Sequence, residues 1–148
     1  MKKILVATDF SDTSAQALKS AVEIATACKA SILLLHILHD PADAPGFYAA
    51  KKAGKKVLRN MEQAAEQMME DFVELQLAPF EKFDTLVVPG LPAEQIVRLA
   101  KKEKVDLISI GTHGRSGLVR LMLGSVADRV IRTAPCPVLT VHQPTKFS

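Results

Sequence analysis

Hydrophobic positions along this chain fall into short, nearly unbroken runs separated by segments of helical spacing. The runs are Ile4-Leu5-Val6-Ala7, Ile32-Leu33-Leu34-Leu35, Leu86-Val87-Val88, Leu107-Ile108-Ser109-Ile110 and Val138-Leu139-Thr140-Val141. Strands with both faces covered read this way, because neither side of the pleat meets water. Between them Ala15, Leu18, Val22 and Ala25 recur at three- and four-residue steps, as do Ala93, Ile96, Val97 and Ala100. A longer segment places Val57, Met61, Ala64, Met68, Phe72 and Leu75 on one face, and Val126, Val130 and Ile131 mark a last helix. The order βαβαβαβαβ predicts a single α/β domain spanning residues 1–148, an open parallel sheet with helices on both faces.

Local chemistry sets the expected helix ends. Thr13 with Gln16 forms one possible capping box, with Ser11 as a competing N-cap, and Ser125 with Asp128 forms another. Pro92 suits the first turn of the third helix, Lys101, Lys102 and Lys104 its end, and Pro135 stops the fourth. The stretch Pro41 to Gly46 reads as a loop.

In an open α/β sheet, ligands bind beyond the carboxyl ends of the strands, where strand order reverses. Asp9, His36 with His39, and Gly111 occupy such ends. After the fourth strand comes Gly111-Thr112-His113-Gly114-Arg115-Ser116-Gly117, and later Gly124-Ser125. Glycines at 111, 114 and 124 permit positive φ and close backbone approach. A helix opening at Ser125 offers free N–H groups and a positive dipole end to a phosphate. Gly54-Lys55 is followed by Lys56, so no P-loop is present, and Thr8-Asp9-Phe10-Ser11 lacks the glycines of a dinucleotide fingerprint.

Three blocks together resemble the universal stress protein family, of its nucleotide-binding kind. They are Ile4 to Ser11; Gly90-Leu91-Pro92-Ala93-Glu94 leading into Val105-Asp106-Leu107-Ile108; and Gly111-x2-Gly114-x9-Gly124-Ser125 ending in Ala134-Pro135-Cys136-Pro137-Val138-Leu139. The third matches the family's ATP-binding signature in full. The resemblance implies a Rossmann-like sheet of five strands in order 3-2-1-4-5, with ATP between strands one and four. Asp9 and the backbone near Ile37 would face the adenine. Ala7, Thr8, Gly111, Thr112 and His113 would lie near the ribose. Gly114, Arg115, Gly124, Ser125, Val126 and Ala127 would surround the phosphates, with ADP or AMP as further ligands and Mg²⁺ or Mn²⁺ held mainly by the nucleotide. Ala7 stands where many relatives have proline, and Ala127 where some have a hydroxyl. The resemblance also implies a homodimer through Val138, Leu139, Thr140 and Val141.

Composition narrows the function classes. The 148 residues carry 19 Lys+Arg and 16 Asp+Glu, a net charge of +3, too mild by itself for a nucleic-acid binder. Two cysteines make no disulfide framework and are expected to pack as small apolar groups in a reducing compartment. No leader or span is read in the chain, so a cytoplasmic domain is expected. Lys51, Lys52, Lys55, Lys56 and Arg59 read as a solvated helix face, with an acidic partner or nucleic acid as the alternatives. Asp9 either faces a ligand or caps the first helix. No Gly-x-Ser-x-Gly elbow occurs, and no catalytic residue is assigned. The expected function is an ATP-binding stress or signalling module. A slow Mg-dependent ATPase is the alternative, and a nucleic-acid-associated regulator a weaker one.

Overall fold

A computed structural model describes residues 1–39, 50–113 and 123–143, with side chains in the long helix described from residue 54 onward. The expected loop from Pro41 to Gly46, and Gly114 to Gly117, lie outside the described residues.

Five strands, β1 (Lys3–Ala7), β2 (Ser31–Leu38), β3 (Phe83–Pro89), β4 (Leu107–Gly111) and β5 (Val138–Val141), form one parallel sheet in the order β3-β2-β1-β4-β5. The apolar runs fall inside these strands. β3 begins earlier than its run, because Asp84 and Thr85 sit exposed on a sheet margin where no helix demands an apolar side chain.

The helices are α1 (Asp12–Cys28), α2 (Ala50–Gln76), α3 (Pro92–Lys102) and α4 (Ser125–Thr133). Alternate strand residues feed two cores. Ile4, Val6, Ile32 and Leu34 pack with Leu18, Ala21, Met69 and Phe72 of α1 and α2. Leu5, Leu33, Leu35 and Ile108 pack with Ile96, Leu99 and Val130 of α3 and α4. The period-2 alternation of a strand thus serves both helix layers. Right-handed crossovers put α1 and α2 on one face, and reversal of strand order at β1/β4 puts α3 and α4 on the other.

Several expectations are corrected. α2 buries Ala65, Met69 and Phe72, with Leu58 and Met61 half-buried, whereas Val57, Met68 and Leu75 of the expected stripe are exposed. The helix carries two adjacent apolar stripes, and the sheet takes the one that seats Met69 and Phe72. Ser11, not Thr13, caps α1: the Ser14 N–H donates to Ser11 Oγ at 3.2 Å. The Ser125/Asp128 box does not form, for Gly124 is the N-cap of α4 and Ser125 its first residue. Cys28, at the end of α1, is exposed rather than packed. Cys136 is half-buried, and burial, with Asp106 nearby, raises its thiol pKa.

At the amino end of the sheet, the N–H groups of Lys2 and Lys3 donate to Asp106 Oδ2 at 2.7 and 3.0 Å and hold this carboxyl below its ordinary value. A depressed folded-state pKa contributes stability above the unfolded value, lost as pH falls through the folded one. Asp106→Asn should therefore lower stability at neutral pH and flatten the acid limb below about pH 4. Denaturant titrations across pH 2–7 check this expectation.

Candidate functional site

At the carboxyl ends of β1 and β4, where strand order reverses, lies a cavity of about 210 Å³. Ala7, Thr8, Asp9, Ile37, Gly111, Thr112, His113, Gly124, Ser125, Val126 and Ala127 all line it. Gly114 and Arg115, also expected there, lie outside the described residues. Sequence reasoning placed His36 at a ligand-side strand end without a role and missed Ser14, Leu35, Pro92, Ile96 and Ile110; these six complete the walls.

One wall is set by the turn from β1 into α1. Phe10 takes φ 65°, a left-handed conformation costing a bulky residue on the order of 1–3 kcal/mol. Three contacts hold it there. Its N–H donates to Thr8 Oγ1 at 3.0 Å, and its ring lies 4.3 Å from His36 and 5.6 Å from Phe72, centroid to centroid. Buried Thr8 and Ser14 are 2.8 Å apart through their hydroxyls. Ser14 Oγ already donates to Ser11 O at 2.9 Å, so Thr8 supplies the shared proton. His36 Nδ1 lies 2.8 Å from Thr8 O, and a carbonyl only accepts, so this nitrogen carries a proton. Asp9 Oδ1 accepts from the Ser11 N–H at 3.0 Å, so Asp9 shapes this turn and Ser11 caps the helix.

The opposite wall joins β4 to α4. Thr112 N–H donates to Val141 O, and Gly124 N–H donates to Thr112 O at 2.7 Å, tying the start of α4 to the end of β4. Gly111 and Gly124 both serve close approach, and among the described glycines the positive φ is at Gly90. A Cβ at Gly124 would meet Thr112 O at 2.9 Å, and one at Gly111 would meet Thr13 Cγ2 at 2.8 Å. A side chain at either position therefore forces the fold itself to give, not only the cavity wall.

The first intrahelical bond of α4 runs from Asp128 N–H to Gly124 O, and Gly124 offers no side-chain cap. The N–H groups of Ser125, Val126 and Ala127 are left without helical partners, and these residues line the cavity. His113 adds a polar atom: Nδ1 lies 2.9 Å from Thr112 Oγ1, while buried Nε2 has no partner among the described residues. Among the described residues no three His, Cys, Asp or Glu side chains gather to hold a metal ion.

Sheet order, reversal-point cavity and helix start define a doubly wound α/β protein of the Rossmann-like class, with a crevice at the switch point. The universal stress protein family matches residues 1–142, and the chain belongs to it. It is 37% identical to the universal stress protein MJ0531 of Methanocaldococcus jannaschii, over 98% of this chain and 84% of that one. The solved structure of MJ0577, from the same organism, superposes with a TM-score of 0.84 at 31% identity, covering 98% of each chain. A universal stress protein solved in complex with cAMP superposes with a TM-score of 0.63 at 27% identity, covering 97% of this chain and 98% of that one.

Proposed function

We propose that the protein binds ATP in the β1/β4 crevice and works as a nucleotide-dependent stress-response module. One observation carries the reading: the start of α4, which has no side-chain cap, lines through Ser125, Val126 and Ala127 a cavity with otherwise mostly apolar walls. Such a helix start favours a phosphate through both hydrogen bonding and dipole, while Leu35, Ile37, Ile96 and Ile110 suit a flat base. His113 Nε2 suits a ribose hydroxyl or phosphate oxygen. ADP and AMP fit the same chemistry, and the relative solved with cAMP supports an adenine nucleotide. Mg²⁺ or Mn²⁺ would be held mainly by the phosphates. Calorimetry with ATP, ADP, AMP and cAMP tests the assignment, and absence of binding by all four refutes it.

Timed output by slow hydrolysis is the second reading. Phosphoryl transfer needs a positioned base; Asp9 already holds the β1–α1 turn, and His113 Nε2 is taken up in this reading by the ribose or a phosphate oxygen. Bound ATP should therefore outlast hours in single-turnover assays with Mg²⁺, whereas product on a scale of minutes would favour the timer. No helix among the described residues is long and apolar enough to cross a membrane. Free Cys28 and Cys136 suit a reducing cytoplasm.

Dimerisation through β5 belongs to the same reading, since this strand ends the sheet. Pro137 O and Val141 O accept bonds from β4, so by the alternation of a parallel ladder Val138 and Thr140 turn their polar backbone groups outward. Leu139, in contrast, packs against the α1/α2 core. Thr140→Pro is therefore the clean test: it removes an outward N–H and spares the β4 ladder. Light scattering at one chain concentration should read about half the wild-type mass for this variant.

A further inference from the structure

α2 arranges its charges against its own interest. All its cations, Lys51, Lys52, Lys55, Lys56 and Arg59, lie in the N-terminal ten residues, and all its carboxylates, Glu62, Glu66, Glu70, Asp71 and Glu74, follow. The helix dipole favours the reverse order. α3 and α4 obey it, with Glu94 and Asp128 early and Lys101, Lys102 and Arg132 late. Within α2, Lys55 and Arg59 stand four apart, as do Glu62, Glu66, Glu70 and Glu74, and like charges at that spacing disfavour a solitary helix. Lys55, Arg59, Glu66 and Glu70 form no ion pair with any described residue.

The cleft beside β3 shows where this line of charge faces. Glu66 and Glu70, with Met69 and Val73, look across about 440 Å³ at Phe83, Thr85, Leu86 and Val87. β3 has a strand neighbour on one side only. The charged line therefore runs along the outer margin of the molecule, at the sheet edge opposite β5.

We propose that this margin is a self-association surface on which a second copy of the chain lays its α2 antiparallel to the first. A twofold axis midway between Arg59 and Glu66 sets Lys55 against the partner's Glu70 and Arg59 against the partner's Glu66, and symmetry repeats both pairs. Antiparallel alignment also sets each positive helix end beside a negative one. The partner helix covers the partly apolar cleft of Met69, Val73, Phe83 and Val87. A polyanion is a poorer occupant, since Glu66 and Glu70 in the same line repel it. The surface does not depend on nucleotide binding.

Charge reversal tests it. The K55E/R59E variant makes all four pairing positions acidic and E66K/E70K makes all four basic, so neither complements itself, yet each complements the other. Circular dichroism first establishes that both are folded. Sedimentation follows at about 50 µM chain, where a micromolar interface is mostly occupied. The β5 strand is intact in every sample. Wild type and the equimolar mixture should sediment at about twice the mass of either variant alone, and 0.5 M salt should reduce the difference. Single variants of wild-type mass, or a mixture no heavier than its components, would overturn the proposal.

Discussion

Ser125→Asp is expected to keep its fold and to bind ATP about 10–100-fold more weakly, a loss of roughly 1.4–2.7 kcal/mol. Ser125 is exposed at the first position of α4. A carboxylate there suits the helix, because it sits at the positive end of the dipole and is worth about 0.3–1 kcal/mol to stability. The same carboxylate occupies the ground a phosphate would take and repels it. Folding and binding thus move in opposite directions, which separates a damaged site from a damaged protein. Adenosine, lacking phosphate, should lose far less than ATP. Calorimetry on wild type, Ser125→Ala and Ser125→Asp, with thermal melts of each, reads both quantities. An aspartate variant with wild-type ATP affinity would remove the phosphate from α4.

Gly111→Val is expected to destabilise the fold by about 1–3 kcal/mol, the usual cost of overpacking a filled interior. The added Cβ would stand 2.8 Å from Thr13 Cγ2 and 3.3 Å from the Thr13 carbonyl carbon. Moving Thr13 means moving the first turn of α1, whose next turn Ser109 Oγ pins from the sheet through its bond to Ala17 O at 2.9 Å. For a chain of this size the melting temperature should fall by roughly 2–4 °C per kcal/mol. Gly124→Ala should behave similarly, since its Cβ meets a carbonyl oxygen that the Gly124 N–H already grips. A Gly111→Val protein that melts with wild type would show that α1 yields freely. Reduced ATP binding by either glycine variant reports packing as well as the ligand.

These glycines show how far the sequence could be read. Their spacing marked the wall of the cavity, but spacing does not say what a glycine makes room for. At Gly111 the neighbour is Thr13 of α1, and at Gly124 it is the backbone of Thr112. Strand positions were legible because buried parallel strands leave unbroken apolar runs, and the strand order entered through the family resemblance. Leu35, Ile96 and Ile110 escaped notice because a cavity wall and a core are built from the same residue types. The face of α2 was misjudged for a related reason. Two apolar stripes lie side by side on that helix, and choosing between them takes the shape of the sheet beneath.

The bond from Gly124 N–H to Thr112 O has a consequence for how such a protein can change. It clasps the two ends of the intervening segment at its base, so the sheet and α4 are set independently of what lies between. Doubling the length of a clasped loop costs only about 0.6 kcal/mol in closure entropy. Segments of other lengths and sequences can therefore be spliced between Thr112 and Gly124 with little penalty to the scaffold. That clasp makes the stretch after β4 an exchangeable cassette on an unchanged frame.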